Sequence, residues 1–267
     1  MTTLDVPGAK LYYQTDGHGP FLLAIGSPMD STGFAPLAQA MAGEYTVVTY
    51  DPRGLGHSTR EDADADITPE LQADDVHRIV EALGGGPVDF FGSSGGAVVG
   101  LALIAAHPHD VRNFVGHEPP VIELLPDNDE QRQAIQDIYD TYRTAGSQAA
   151  MFQFMKHIGV LGDGAAPAWE PTPEQLERMD AANEVFFGHL IRQTTAFLPD
   201  MQALRAAPTR IVIGVGEASQ GQLAHRTGLA FAEAFGAPVI EFPGDHGGFM
   251  NAEPFSRVLK RVLVEME

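Results

Sequence analysis

The stretch from Val88 to Leu103 constrains the chain more than any other. Val88-Asp89-Phe90-Phe91 is a short apolar run, Gly92-Ser93-Ser94-Gly95-Gly96 follows it, and Ala97-Val98-Val99-Gly100-Leu101-Ala102-Leu103 continues as a helix-like segment. The order is strand, G-x-S-x-G, helix. A backbone that turns so sharply needs glycines around the serine, because larger side chains there would collide. The strain aims the Ser94 hydroxyl outward at the C-terminal edge of a sheet. There the helix dipole and the free N–H of Gly95 can stabilise an oxyanion. A Gly-rich βα turn without chemistry is the plainer reading of the same residues, and the elements on both sides weigh against it.

The rest of the chain supplies the sheet that such a turn requires. Apolar runs at 10–14, 21–25, 45–50, 88–91, 111–116, 210–215 and 239–242 read as strands, and 34–42, 68–83, 97–107, 220–235 and 254–264 read as helices. Their alternation predicts an α/β fold with a mainly parallel sheet covered by helices on both faces. At 267 residues, one α/β domain with an insertion suits the length better than two independent domains. Between the strands near 116 and 210 the alternation gives way to helical periodicity. We expect a core of 1–118 and 208–267 with a helical cap at 119–207. The cap holds Tyr139, Tyr142, Met151, Phe152, Phe154, Met155, Trp169, Phe186, Phe187 and Phe197. Singly these residues read as helix packing, and together they suggest the wall of an apolar pocket. The acidic stretch 61–66 reads as a solvated loop.

Charge narrows the partners. A formal net charge of -20, from 36 acidic against 16 basic residues, repels nucleic-acid phosphates and anionic membrane surfaces. A small molecule is the expected partner, and homo-oligomerisation is left open. The absence of cysteine removes disulfides, a thiol nucleophile and thiolate metal sites. No apolar signal core opens the chain and no apolar run is long enough to cross a bilayer, so a cytoplasmic protein is expected.

A serine hydroxyl is a weak nucleophile at neutral pH and needs a base beside it. His246, in Pro243-Gly244-Asp245-His246-Gly247-Gly248, lies beyond the last strand candidate, where the chain returns to the sheet edge. The run Phe21-Leu22-Leu23-Ala24-Ile25 leads into Gly26-Ser27-Pro28, and the backbone N–H of Ser27 is the expected second oxyanion donor. Asp51-Pro52-Arg53-Gly54-Leu55-Gly56-His57-Ser58 has neither the lysine nor the spacing of a phosphate loop, so it reads as a structural turn with buried Asp and Arg partners. His107-Pro108-His109 spells H-x-H, where capping of a helix end outweighs metal ligation. No cofactor or metal site is expected.

Taken together, these residues resemble the α/β-hydrolase superfamily from Lys10 to the final helix, with 51–58, Ser94 and His246 in the family's usual order. Two departures stand out. Ile25-Gly26 replaces the family's common His-Gly pair, and Ser219 occupies the usual place of the acidic triad member. Glu217 and Glu118 are then the available carboxylates. Glu118 follows a strand and precedes the stiff pair Pro119-Pro120, whereas Glu217 enters a more permissive loop. The resemblance favours Glu118, an acid position used in zearalenone-type lactone hydrolases, which also carry paired serines at the elbow. It implies ester or lactone hydrolysis through an acyl-enzyme. A C–C bond hydrolase, a cofactor-free perhydrolase, or a ligand-binding protein with a vestigial triad would share the same residues.

Overall fold

The computed structural model describes residues 2–160 and 173–266. Nine strands form one sheet among them: β1 (Thr2–Val6), β2 (Ala9–Gly17), β3 (Phe21–Ser27), β4 (Thr46–Asp51), β5 (Thr59–Arg60), β6 (Val88–Ser94), β7 (Val111–His117), β8 (Arg210–Gly216) and β9 (Val239–Phe242). The order is β1-β2-β4-β3-β6-β7-β8-β9, with β5 attached to β2. From β4 to β9 every pairing is parallel, while β1, β2 and β5 are antiparallel additions at one edge. The continuous apolar run of β6 follows from burial on both faces, as central parallel strands require.

Helices cover the two faces. On one lie α1 (Ala35–Met41) and α10 (Ala252–Glu265). Helix α10 turns Phe255, Leu259, Val262 and Leu263, an i, i+4, i+7, i+8 stripe, onto β3, β4 and β6. On the other lie α2 (Pro69–Ala82), α3 (Gly95–Ala106) and, after the insertion, α8 (Met201–Ala206) and α9 (Leu223–Phe235). Helix α3 is apolar all round because its residues from Gly95 to Ile104 are all buried. Between β7 and α8 the chain forms α4 (Asn128–Ala145), α5 (Ser147–His157), α6 (Pro173–Val185), a π turn (Phe186–Leu190) and α7 (Ile191–Thr195). These elements build a separate apolar cluster, seamed to the core through Leu55, Ile67 and Leu223.

Two strands escape the sequence pattern. Along β1 only Val6 is buried, so a strand exposed on most of its surface carries no period-two signal. Strand β5 is two residues long. Helix α9 begins three residues later than periodicity suggests, because Gly221, at φ +80°, completes a turn in which the Gln222 N–H donates to the Ser219 carbonyl. No helix among the described residues is long and apolar enough to cross a membrane.

Candidate active site

Strand β6 ends at Ser94, whose backbone sits at φ 55°, ψ -126°, a strained conformation for a residue with a side chain. The surrounding glycines are required by contact. A Cβ on Gly92 would stand 2.7 Å from the Gly96 carbonyl oxygen, one on Gly96 2.2 Å from that of Ile25, and one on Gly95 2.5 Å from that of Ser27. The elbow is thus pressed against β3, where Ser27 is the register partner of Ser94. Ser27 is itself buried, and its hydroxyl donates to Gln72 Oε1 at 3.0 Å. Gln72 lies on the buried face of α2, a position where the sequence marks only a polar interruption.

Glu118 follows β7 directly and adopts φ +49°. Its Oε1 accepts from the Gly216 N–H at 2.9 Å and from the Ser219 hydroxyl, and its Oε2 lies 2.7 Å from His246 Nδ1. Ser219 therefore donates to a carboxylate from the neighbouring strand instead of being replaced by one. Burial alone would raise the Glu118 carboxyl, but the hydrogen bond from His246 and that from Ser219 help hold it down to about 2. A carboxylate on Nδ1 places the proton there and leaves Nε2 as the basic nitrogen. His246 is carried by the loop after β9. Gly216 must lack a Cβ to let that loop pass, since one would stand 2.7 Å from the Gly244 carbonyl oxygen.

Ser94, Ser27, Gly95 and His246 all line one cavity of about 360 Å³. The Ser94 hydroxyl makes no hydrogen bond to His246 in this conformation. Met29, Phe34, Phe249 and Met250 complete the core side of the wall, and Ile135, Met151, Phe154, Met155, Phe186 and Ile191 close it from the inserted helices.

A family model described as alpha/beta hydrolase fold matches residues 19–221. The chain belongs to the α/β-hydrolase family. This hydrolase is 32% identical over 268 residues to the uncharacterized hydrolase YraK of Bacillus subtilis, covering 98% of this chain and 95% of that protein. It is 27% identical to a zearalenone hydrolase of Cladophialophora bantiana, over 67% of this chain and 64% of that one. Among solved structures it superposes on a thermophilic esterase from Thermogutta terrifontis with a TM-score of 0.75 at 19% identity, covering 99% of this chain and 97% of the other.

Other expectations for the hydrolase fare unevenly. Glu217, the second carboxylate, is exposed and makes no hydrogen bond or ion pair to His246. Of the ten large side chains in 119–207, Met151, Phe154, Met155 and Phe186 face the cavity. Phe187 is fully buried among the inserted helices, Phe197 packs on the core side, Phe152 is 59% exposed, and the Tyr142 hydroxyl donates to Glu184. Trp169 lies outside the described residues. Asp51 is buried and accepts from the N–H groups of Ser31 at 2.8 Å and His57 at 2.7 Å, while Arg53 holds the buried Asp75 through two bonds of 2.8 and 2.6 Å. The turn thus anchors the loop that brings Met29 and Phe34 to the cavity.

One residue that the sequence reading passes over stands next to the acid. His117 is fully buried, its Nδ1 3.4 Å from the Ser93 hydroxyl and its Nε2 without a partner. Burial lowers its pKa to about 4, so it is neutral at physiological pH. Ser93, the other serine of the elbow, is occupied with this ring. His117, Glu118 and His246 bring ligand atoms within 4.8 Å of one another. Both Glu118 oxygens already accept hydrogen bonds, so the cluster reads as an acid–imidazole pair rather than a cation cage.

Proposed function

We propose that this hydrolase cleaves a carboxylic ester or lactone of an apolar small molecule, with Ser94 as nucleophile, His246 as general base and Glu118 as the orienting acid. The observation that carries the reading is the pairing of buried Glu118 with partly exposed His246, 2.7 Å apart, where His246 opens on the same apolar cavity as the strained Ser94. His246 Nε2 takes the Ser94 proton as Ser94 Oγ attacks the substrate carbonyl. The N–H groups of Ser27 and Gly95 receive the developing oxyanion, each donor of this kind being worth roughly 3–4 kcal/mol in turnover. His246 then returns the proton to the leaving alkoxide, and water activated by the same ring releases the acid. The Ser94–His246 hydrogen bond forms when substrate is bound, since such contacts often tighten only in the productive complex. The likeness to a zearalenone hydrolase supports hydrolysis, and the apolar wall supports a substrate with a largely hydrocarbon body.

A panel of chromogenic esters and lactones of graded chain length tests the reaction, with an organophosphonate to label the nucleophile. The expected result is turnover on apolar members, one adduct at Ser94, and loss of turnover by at least about a thousandfold in Ser94→Ala. An adduct at Ser93, or near-normal turnover in Ser94→Ala, would overturn the assignment.

A further inference from the structure

The cavity that holds the nucleophile contains a second hydroxyl with nothing to bond. Most polar side chains around it are engaged: the Ser27 hydroxyl donates to Gln72 Oε1, that of Ser93 lies 3.4 Å from His117 Nδ1, and that of Thr195 donates to the Ile191 carbonyl at 2.8 Å. His246 is paired with Glu118, and Asp245 Oδ1 accepts from the Gly247 N–H at 2.9 Å. Among the described residues that leaves Ser94 and, from the inserted helices, Thr194. Ile191, Thr194 and Thr195, spaced i, i+3, i+4, turn one face of α7 onto the cavity. Thr194 is only 6% exposed, so its hydroxyl meets the cavity rather than bulk water. The π turn before α7 adds a residue to the helix and resets which face the next turn presents, a device common at functional sites. The wall offers no cation: among the described residues that line it there is no Lys or Arg, and Asp245 adds a carboxylate beside His246.

We propose that Thr194 is a specificity-determining residue whose hydroxyl donates to a second neutral oxygen, such as a ketone, on the hydrocarbon body of the substrate. The inference rests on the ester or lactone reading above and narrows its substrate class. A substrate body made of hydrocarbon alone would strip water from the Thr194 hydroxyl and leave it unpaired, a loss that a correctly placed acceptor removes. Such a group discriminates strongly, because an analogue lacking the partner oxygen binds against a bare polar atom. A carboxylate in the same place is disfavoured, since it would lose its hydration with Asp245 in the same wall and no Lys or Arg among the described lining residues to meet it. The two free hydroxyls thus read the substrate at two points, Ser94 at the carbonyl to be cleaved and Thr194 at an oxygen that does not react.

The test series is p-nitrophenyl octanoate, analogues in which a ketone replaces successive methylenes of its chain, and the analogue whose chain ends in a carboxylate. Wild type should favour at least one keto ester over the plain ester by about tenfold or more in kcat/KM, and should turn over the carboxylate about a hundredfold less well than the plain ester. Thr194→Val keeps the shape and removes the hydroxyl, so the keto preference should disappear. Thr194→Ser and Thr195→Val should each keep it. A merely structural Thr194 would lower turnover of plain and keto esters alike and leave their ratio standing, which would overturn the proposal, as would a wild type that favours the plain ester over every keto analogue. Equal turnover of the carboxylate would overturn the restriction to neutral substrates. Calorimetric binding of the matching methyl esters to Ser94→Ala separates this inference from the hydrolytic reading. Keto preference in binding with no turnover by the wild type sinks the reaction and keeps the role of Thr194, whereas turnover without keto preference sinks the role of Thr194 alone.

Discussion

Glu118 and His117 are adjacent in sequence, yet burial acts on them in opposite chemical senses. For Glu118, hydrogen bonds keep the charged form, and the expected consequence concerns turnover. Glu118→Gln should lower it roughly a thousandfold or more without unfolding the chain, while Glu217→Gln stays near wild type, measured side by side with melting temperatures. For His117 the consequence concerns stability. In the unfolded chain it takes its proton near 6.5, whereas in the fold burial holds it to about 4. Between those values the unfolded chain binds more protons, so stability falls as pH drops from about 6.5 to 4, by an amount on the order of 3 kcal/mol at full extent. Glu118 continues the trend: its contribution is complete above its unfolded value of 4.5 and is lost as pH falls through that range to about 2. On acidification the melting temperature should therefore begin to fall well above the carboxylate range. His117→Gln should remove most of the slope between 6.5 and 4.5, and an unchanged slope would assign it to other groups.

Among the elements, α2 has a role that its amphipathic pattern conceals. Its buried face carries Gln72, whose Oε1 accepts from Ser27 and whose Nε2 has no partner. Gln72→Met keeps the volume and removes an already half-satisfied amide, so the melting temperature should stay close to wild type. The Ser27 loop loses its tether, and turnover should fall roughly tenfold with a smaller change in KM. An unaltered kcat would show that β3 alone holds the loop. Gln72 also illustrates why some of the site was legible in sequence and some was not. Ser94, Gly95 and the loop of His246 announce themselves because sharp turns at strand ends demand particular residues in a particular order. Gln72 and His117 lie within elements whose pattern is set by burial, and periodicity records that a position is buried, not what it touches. The same limit explains the inserted helices, where Phe186 and Phe187 are neighbours in sequence but only Phe186 reaches the cavity. Thr2–Val6 is silent in the sequence for a different reason, since an edge strand held by backbone bonds needs little apolar side-chain pattern.

At the level of the whole molecule, the net charge of -20 is a destabilising term that the fold tolerates. Added salt screens exposed like charges within a Debye length of roughly 10 Å at 0.1 M, so melting temperature should rise between low salt and about 0.5 M sodium chloride. A flat or falling response would mean that the surface ion pairs outweigh the repulsion. The position of Glu118 has a further consequence at this scale. It is the last side chain of the sheet edge before the inserted helices begin, and the groups that hold it, Gly216, Ser219 and His246, all come from after those helices end. None of its hydrogen bonds crosses into the insertion. The stretch between β7 and α8 can thus be exchanged as one cassette: replacing that contiguous piece of the gene would reshape the pocket wall, and with it substrate preference on the function proposed above, while leaving every hydrogen bond of Glu118 in place.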